Sequence, residues 1–103
     1  MMTDEKIDQQ GTKLARRQIL EPGESSAWHI DPYHRFSVII RGSELKIEYR
    51  DGEEDQFTPS PGEAGWDAPT DRMHRAVNVG VDTYEEVTLF FLDRPTSIPQ
   101  PTS

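Results

Sequence analysis

Turn-forming residues interrupt this chain at short and regular intervals. Between residues 12 and 93 they recur roughly every 8–12 residues, which is the spacing expected of an all-β sandwich or barrel. The strongest of these signals is Asp51-Gly52, a dipeptide that favours the tight turn of a β-hairpin. No segment combines helical spacing of its apolar residues with capping residues at its ends. The chain is therefore predicted to be all-β.

The apolar runs between the turns predict the strands. They lie at 13–20, 25–31, 35–40, 43–50, 56–57, 64–67, 73–79 and 84–92. Alternation is clearest in the run 43–50, where Leu45, Ile47 and Tyr49 share the face that we expect to point inward.

Both ends of the chain are predicted to be extended arms outside the barrel. Residues 1–11 are charged and polar with almost no apolar side chains, so we expect a flexible N-terminal arm. Residues 94–103 contain three prolines, which cannot donate ladder hydrogen bonds, so we expect a Pro-rich C-terminal tail. One domain, residues 12–93, lies between them. A chain of 103 residues has room for a single modest core.

The charge balance excludes several classes of partner. Nineteen acidic residues against eleven Lys and Arg give a net charge of −8, which repels nucleic-acid phosphates and anionic lipid. No apolar run approaches the length of a membrane span, and the N-terminus lacks the pattern of a secretory signal, so we expect a cytoplasmic protein. The chain has no cysteine. Disulfides, thiolate metal sites and cysteine nucleophiles are therefore excluded, and histidine and carboxylate chemistry remains.

Three polar side chains are candidates for a metal site. His29 and Asp31 are two residues apart in a predicted strand and so point to the same side. His74 opens a run in which His74, Ala76 and Asn78 share one face. If these faces look onto one cavity, two imidazoles and a carboxylate could hold Fe(II), Mn(II), Ni(II) or Zn(II) with open positions for a substrate. The alternative is that His74 is an ordinary core residue with a polar partner.

The stretch from Gly23 to Asn78 resembles the cupin superfamily. The matching positions fall in its two motifs, Pro22, Gly23, His29 and Gly42 in the first and Pro69, His74 and Asn78 in the second. The resemblance implies a cupin-type double-stranded β-helix, a jelly-roll barrel whose motif residues face the interior. The short length is similar to that of small bacterial cupins, including those linked to β-alanine degradation.

Two of the family's metal-ligand positions are changed in this chain. Asp31 stands where the second histidine of the first motif belongs, and Arg35 stands where its glutamate belongs. Asp31 can still bind a metal, but Arg35 is a permanent cation that would repel one. An inward arginine instead suits a carboxylate, either Asp31 or a bound anion. His34 is a substitute ligand if the strand shifts its register.

Three interpretations of the site remain open. It is a metal centre of His29, Asp31 and His74 in an enzyme that acts on a small organic acid, with Arg35 holding the substrate carboxylate. It is a metal-free pocket in which Arg35 and the histidines bind a small carboxylic acid without chemistry. Or it is a satisfied polar network inside a structural barrel.

Two further residues are candidates for substrate binding. Asn78 occupies a position of the second motif, and Trp66 either walls the pocket or fills the core.

Phe36, Val38 and Ile40 share the outward face of their predicted strand. An apolar outward face and the thin core together predict a homodimer that uses this face and the run 13–20.

Overall fold

The computed structural model describes residues 2–93, and the predicted tail 94–103 lies outside this range. Strands and turns make up the described chain, so the all-β prediction is confirmed. No helix in this range is long and apolar enough to cross a membrane. The strands are β1 (Thr3–Gln10), β2 (Lys13–Leu20), β3 (His29–Asp31), β4 (His34–Arg41), β5 (Leu45–Tyr49), β6 (Glu54–Phe57), β7 (Ala64–Asp67), β8 (Thr70–Asn78) and β9 (Tyr84–Phe91).

The strands form two antiparallel sheets. A five-stranded sheet has the order β1-β2-β9-β4-β7, and a four-stranded sheet has the order β3-β8-β5-β6. After β2 the chain crosses repeatedly from one sheet to the other, so consecutive strands often lie in different sheets. Side chains from both sheets line a cavity of about 730 Å³ between them. The fold is a jelly-roll barrel that is partly hollow.

The observed strands lie close to the predicted ones, and β2 and β7 have the predicted bounds. The run 25–31 differs most, because only β3 at its end is a strand. The Ser26 hydroxyl oxygen accepts the Ala76 N–H at 2.9 Å. A side chain thus takes a place that a ladder hydrogen bond would otherwise fill, and regular pairing starts later in the run.

The N-terminal segment differs from its prediction. The sequence predicts a flexible arm over residues 1–11, whereas the structure pairs β1 with β2 at the edge of the five-stranded sheet. Every residue of β1 is exposed. The strand forms because ladder hydrogen bonds need no apolar side chains. An ion pair between Arg16 Nε and Asp4 Oδ1, 2.6 Å long, adds a contact between the two strands.

The closely packed apolar core is small and lies at one end of the barrel. Its buried members are Leu20, Ile39, Leu45 and Tyr84. Leu20 pairs with Tyr84 across β2 and β9, and Leu45 pairs with Asn78 across β5 and β8. Successive strand residues rise about 3.3 Å, so Ile39 lies roughly 13 Å along β4 from Arg35. The other end of the barrel is left for polar side chains.

Asn78 closes the apolar end of the barrel. Its side chain is 1% exposed. The amide nitrogen donates to the carbonyl oxygens of Leu20 and Asp82 at 2.8 and 2.9 Å, and the amide oxygen accepts the Gly80 N–H at 2.9 Å. Gly80 is packed so closely that a Cβ there would lie 2.1 Å from Ser43 Oγ. Asn78 therefore ties the turn between β8 and β9 to the end of β2.

We expect Asn78→Ala to lower the free energy of unfolding by about 2–4 kcal/mol, because it removes three hydrogen bonds and leaves buried carbonyl groups unpaired. Asn78→Asp should cost at least as much, since it keeps the acceptor for Gly80 but turns a carboxylate toward two carbonyl oxygens. Urea unfolding measures both changes. A loss for Asn78→Ala within about 0.5 kcal/mol, as for an ordinary surface substitution, would contradict this role.

Candidate functional site

Strands β3 and β8 bring the three candidate metal ligands together. His29 and His74 are direct cross-strand partners, and their ring centroids are 4.6 Å apart. Asp31 follows two residues after His29 and points to the same side, although a register shift sets it opposite Thr70. The candidate ligand atoms of His29, Asp31 and His74 all lie within 4.8 Å of one another.

The Asp31 carboxylate lies at the centre of this group. Its Oδ2 is 2.8 Å from His74 Nε2 and 3.5 Å from Arg35 Nη2, and its Oδ1 is 3.7 Å from His29 Nε2. The side chains of Asp31 and Arg35 are each 17% exposed, so solvent screens their interaction only in part. One carboxylate thus faces three groups that can carry positive charge.

Main-chain carbonyl groups fix both imidazole rings. His29 Nδ1 lies 2.6 Å from the Ala27 oxygen, and His74 Nδ1 lies 2.8 Å from the Arg72 oxygen. Because a carbonyl oxygen can only accept, each Nδ1 carries the proton and donates it. Each Nε2 is thereby directed toward Asp31. Histidines that bind metals are oriented in the same way, with the second ring nitrogen donating to a carbonyl or carboxylate.

The charges of the group shift two pKa values. Burial raises the pKa of Asp31, but the hydrogen bond from His74 and the charges of Arg35 and the two histidines outweigh it, so this pKa lies below its usual value. The hydrogen bond to Asp31 raises the pKa of His74 and outweighs the opposing effect of burial. Without a metal, His74 therefore tends to be an imidazolium that donates from both ring nitrogens.

The donor set fits a divalent transition metal. Two imidazole nitrogens and one carboxylate are the ligands of metal centres that keep open positions. The 2.8 Å between His74 Nε2 and Asp31 Oδ2 is close to the spacing of about 3.0 Å between neighbouring ligands that metal bonds of about 2.1 Å require. A metal would have to displace the His74 proton. The guanidinium of Arg35 opposes a cation at this place and lowers the affinity for it.

Arg35 has an unused hydrogen-bonding group. Its Nη2 faces Asp31, while its Nη1 is buried and has no hydrogen-bond partner among the described residues. A buried donor without an acceptor is unfavourable, and Arg35 lines the cavity. The Arg35 guanidinium, part of which reaches the cavity, is the best-placed cationic group to hold an acidic ligand.

Three other candidates lie outside this group. Trp66 borders the cavity, but its side chain is 70% exposed and packs on the outer face against Phe36 and Phe91, with ring centroids 5.0 and 5.5 Å away. The expectation that it fills the core is therefore wrong, whereas the alternative that it borders the pocket agrees with its place at the edge of the cavity. Its cross-strand partner is Phe36, which turns it outward. The Asn78 amide serves the turn described above rather than a ligand. His34 is exposed and precedes the inward Arg35, so it is not a substitute metal ligand.

The sequence analysis missed a polar strip on the inner face of the five-stranded sheet. Its members line the cavity and lie on β2, β4 and β9: Arg16, Gln18, Ser37, Glu86 and Thr88. Ser37 follows two residues after Arg35 and therefore shares its face. The alternation of Glu86 and Thr88 within an otherwise apolar run was the available signal.

Comparison with known proteins shows the fold. No protein-family model and no characterised protein sequence matches the chain. A cupin domain from Bordetella pertussis is 15% identical, with a TM-score of 0.76 over 86% of this chain and 91% of that chain. An RmlC-like cupin family protein from Methanocaldococcus jannaschii is 19% identical, with a TM-score of 0.68 over 93% of this chain and 82% of that one.

An oxalate oxidase in complex with the substrate analogue glycolate is also similar. It is 19% identical, with a TM-score of 0.67 over 91% of this chain and 52% of that chain. The fold is thus a cupin-type double-stranded β-helix, as predicted from the sequence. At these identities the likeness concerns the fold and does not transfer an activity.

The shifted pKa values predict how stability depends on pH in protein freed of metal by a chelator. Because the pKa of His74 is raised in the folded state, its interaction with Asp31 adds to the free energy of unfolding. This addition is fully present below about pH 6.5, the pKa of histidine in the unfolded chain, and is lost as the pH rises through the pKa of folded His74. The lowered pKa of Asp31 likewise adds to the free energy of unfolding. This addition is present above about pH 3.9, the pKa of aspartate in the unfolded chain, and is lost as the pH falls through the pKa of folded Asp31.

The free energy of unfolding of wild type should therefore exceed that of His74→Gln most between about pH 4 and 6.5, and the difference should shrink toward about pH 9. Urea unfolding across this range measures it. His34→Gln, on the outer face, is the matched control and should follow the wild-type profile. A difference for His74→Gln that does not change with pH would contradict the charged pair.

Proposed function

We propose that this cupin-fold chain binds a divalent transition metal and a small organic acid in the same cavity, and acts on that acid. His29, Asp31 and His74 hold the metal, and Arg35 holds the carboxylate of the acid. The observation that carries the proposal is the convergence of the three donors while main-chain carbonyls fix both rings. A jelly-roll barrel by itself supports many activities and does not select this one.

The side chains of this chain would bind and orient the substrate. Arg35 donates from its guanidinium to a carboxylate oxygen of the acid, while its Nη2 lies 3.5 Å from Asp31 Oδ2 in an ion pair. Asp31 offsets the charge of Arg35 beside a metal site. A bound ion would supply Lewis-acid chemistry at the open positions. Ile39 and Leu45, part of the apolar cluster, lie farther along the cavity and limit water at that end.

One specific observation favours a second candidate, a metal-free pocket that binds a small carboxylic acid without chemistry. Asp31 already has His74 and Arg35 as cationic partners without an ion, and the excess positive charge of the group favours an anionic ligand. Arg35 Nη1 is a buried donor that has no hydrogen-bond acceptor among the described residues. In this case the chain is a binding module, and an acid binds equally well after treatment with a chelator.

Metal analysis separates the two candidates. Protein purified without chelator should contain about one Fe, Mn, Ni or Zn ion per chain, and adding that ion to stripped protein should raise the melting temperature. His29→Ala and His74→Ala should lose the ion, because each removes a ligand. His34→Ala is the matched control and should keep it. If no stoichiometric metal is found and no added ion raises the melting temperature, the metal site is excluded and the carboxylate pocket remains.

We also propose that the chain is a homodimer that associates through the outer face of the five-stranded sheet. Trp66 is 70% exposed there and Ile40 is 44% exposed, and Trp66 packs against the rings of Phe36 and Phe91. Val38 lies on the same face by alternation along β4. A cluster of large apolar side chains at the surface is typical of an interface, and a second copy of the chain is the partner that most often covers one.

The double variant Ile40→Asp/Trp66→Ser should shift the protein to a monomer, since it places a charge in the apolar face and removes its largest side chain. Sedimentation velocity measures the state. Val81→Ser is the control, because Val81 is 85% exposed outside this face and should not affect association. Wild-type protein that sediments as a monomer at high concentration would contradict the proposal.

A further inference from the structure

A chain of hydrogen bonds runs across the inner face of β4 and β9. Ser37 Oγ lies 3.0 Å from Thr88 Oγ1, and Thr88 donates to Glu86 Oε2 at 2.5 Å. The Tyr84 hydroxyl donates to Glu86 Oε1 at 2.6 Å. All four residues line the cavity, and none belongs to the group around Asp31.

The direction of these hydrogen bonds can be assigned. An ionised carboxylate only accepts, so both hydroxyl groups donate to Glu86. The single Thr88 proton is then used, and the proton between Thr88 and Ser37 must come from Ser37. The Ser37 hydroxyl oxygen can still accept hydrogen bonds through its lone pairs. The Glu86 carboxylate can accept about four hydrogen bonds and receives two, from Tyr84 and Thr88. This wall of the cavity therefore accepts hydrogen bonds and has few donors to offer.

The Glu86 carboxylate has no close cationic partner in the described chain. Glu86 makes no ion pair with any of residues 2–93, and the neighbouring Arg16 is engaged with Asp4 at 2.6 Å. Burial, together with the carboxylates of Glu86 and others nearby, raises the pKa of the Tyr84 phenol, so Tyr84 remains a neutral donor. A partly enclosed carboxylate without a counter-charge favours a cation.

Arg35 and Glu86 place a cationic and an anionic group at two different positions in the cavity. Arg35 and Ser37 are successive inward residues of β4, so their Cα atoms are about 6.6 Å apart along the strand. Thr88 lies directly opposite Ser37 in the strand pairing, and the Glu86 carboxylate accepts a hydrogen bond from Thr88. The Glu86 carboxylate therefore lies close to the level of Ser37 along the strands. A cationic group of the site and an anionic wall thus lie several bond lengths apart in one cavity.

We propose that Glu86, with Ser37 and Thr88, forms a second binding subsite that takes the protonated amine of a ligand whose carboxylate is held by Arg35. The ligand class is a small aliphatic amino acid with several carbons between ammonium and carboxylate. The three donors of an ammonium group match the acceptors of Glu86 and Ser37, and its charge offsets that of Glu86. The inference rests on the proposed function of Arg35 and deepens it.

Three probes of matched length test the subsite by calorimetry: γ-aminobutyrate, butyrate and butylamine. Wild-type protein should bind γ-aminobutyrate about tenfold or more tightly than butyrate, since a charge-assisted hydrogen bond is gained. Glu86→Gln should remove this preference and leave butyrate binding unchanged. Arg35→Gln should weaken binding of both acids and leave butylamine binding unchanged. Glu85→Gln, on the same strand with its ion pairs to Arg41 and Arg17, is the control and should affect none of the probes.

The outcomes separate the subsite from the proposed function. If wild type binds butyrate as tightly as γ-aminobutyrate, or if Glu86→Gln keeps the preference, the amine subsite is refuted while the role of Arg35 stands. If Arg35→Gln leaves acid binding intact, the proposed carboxylate function fails, and butylamine binding that depends on Glu86 still supports the subsite.

A measurement on wild-type protein covers the case in which Glu86→Gln does not fold. Butylamine should shift the NMR resonance of the Glu86 carboxyl carbon more than that of Asp31. An equal shift at both carboxyl groups, or none at Glu86, would overturn the proposal.

Discussion

The Asp31 carboxylate is the interaction on which the arrangement of the site depends. It accepts from His74 at 2.8 Å and faces Arg35 at 3.5 Å, so it holds two cationic groups together in one small volume. Without it, the two would repel each other in a medium that screens charge poorly. A metal would displace the His74 proton and take its place as the partner of Asp31. A bound acid would compete with Asp31 for Arg35. A metal or an acid bound in this cavity therefore changes the partners of Asp31.

Alternation and turn spacing were enough to predict most of the strands and the convergence of His29 with Asp31, because both depend on local geometry. The family resemblance implied that His74 faces the same interior as His29, but their pairing across two strands was not predicted, since register across a sheet is not a local property. β1 was missed because its polar side chains carry no signal of burial. The direction of Trp66 was missed because a strand of four residues that contains Gly65 has too few side chains to fix its phase.

The hydrogen-bonded cavity wall of Ser37, Glu86 and Thr88 was missed, because the spacing of Glu86 and Thr88 in the sequence does not show which residue of another strand they meet. Glu86 and Thr88 lie in a run that is apolar after Glu85 except at these two positions, and Ser37 lies in another strand. Their hydrogen bonds exist because β4 pairs with β9 in the register that sets Ser37 opposite Thr88. A shift of β9 by one residue would turn Glu86 and Thr88 away from the cavity while Ser37 still faced it. The chemistry of this wall is thus a property of the pairing rather than of any one segment.

The exposed strand β1 limits how copies of this protein can meet. An open sheet edge is a template on which another strand can grow, and natural proteins protect such edges with charge and with bulges. β1 has both, since Asp4, Glu5, Lys6 and Asp8 lie along it and its register shifts between Lys6 and Asp8. The edge is therefore a poor template for fibril-like growth, and the protein can expose a strand in which Ile7 is the one apolar residue without the tendency to aggregate that an apolar strand would bring.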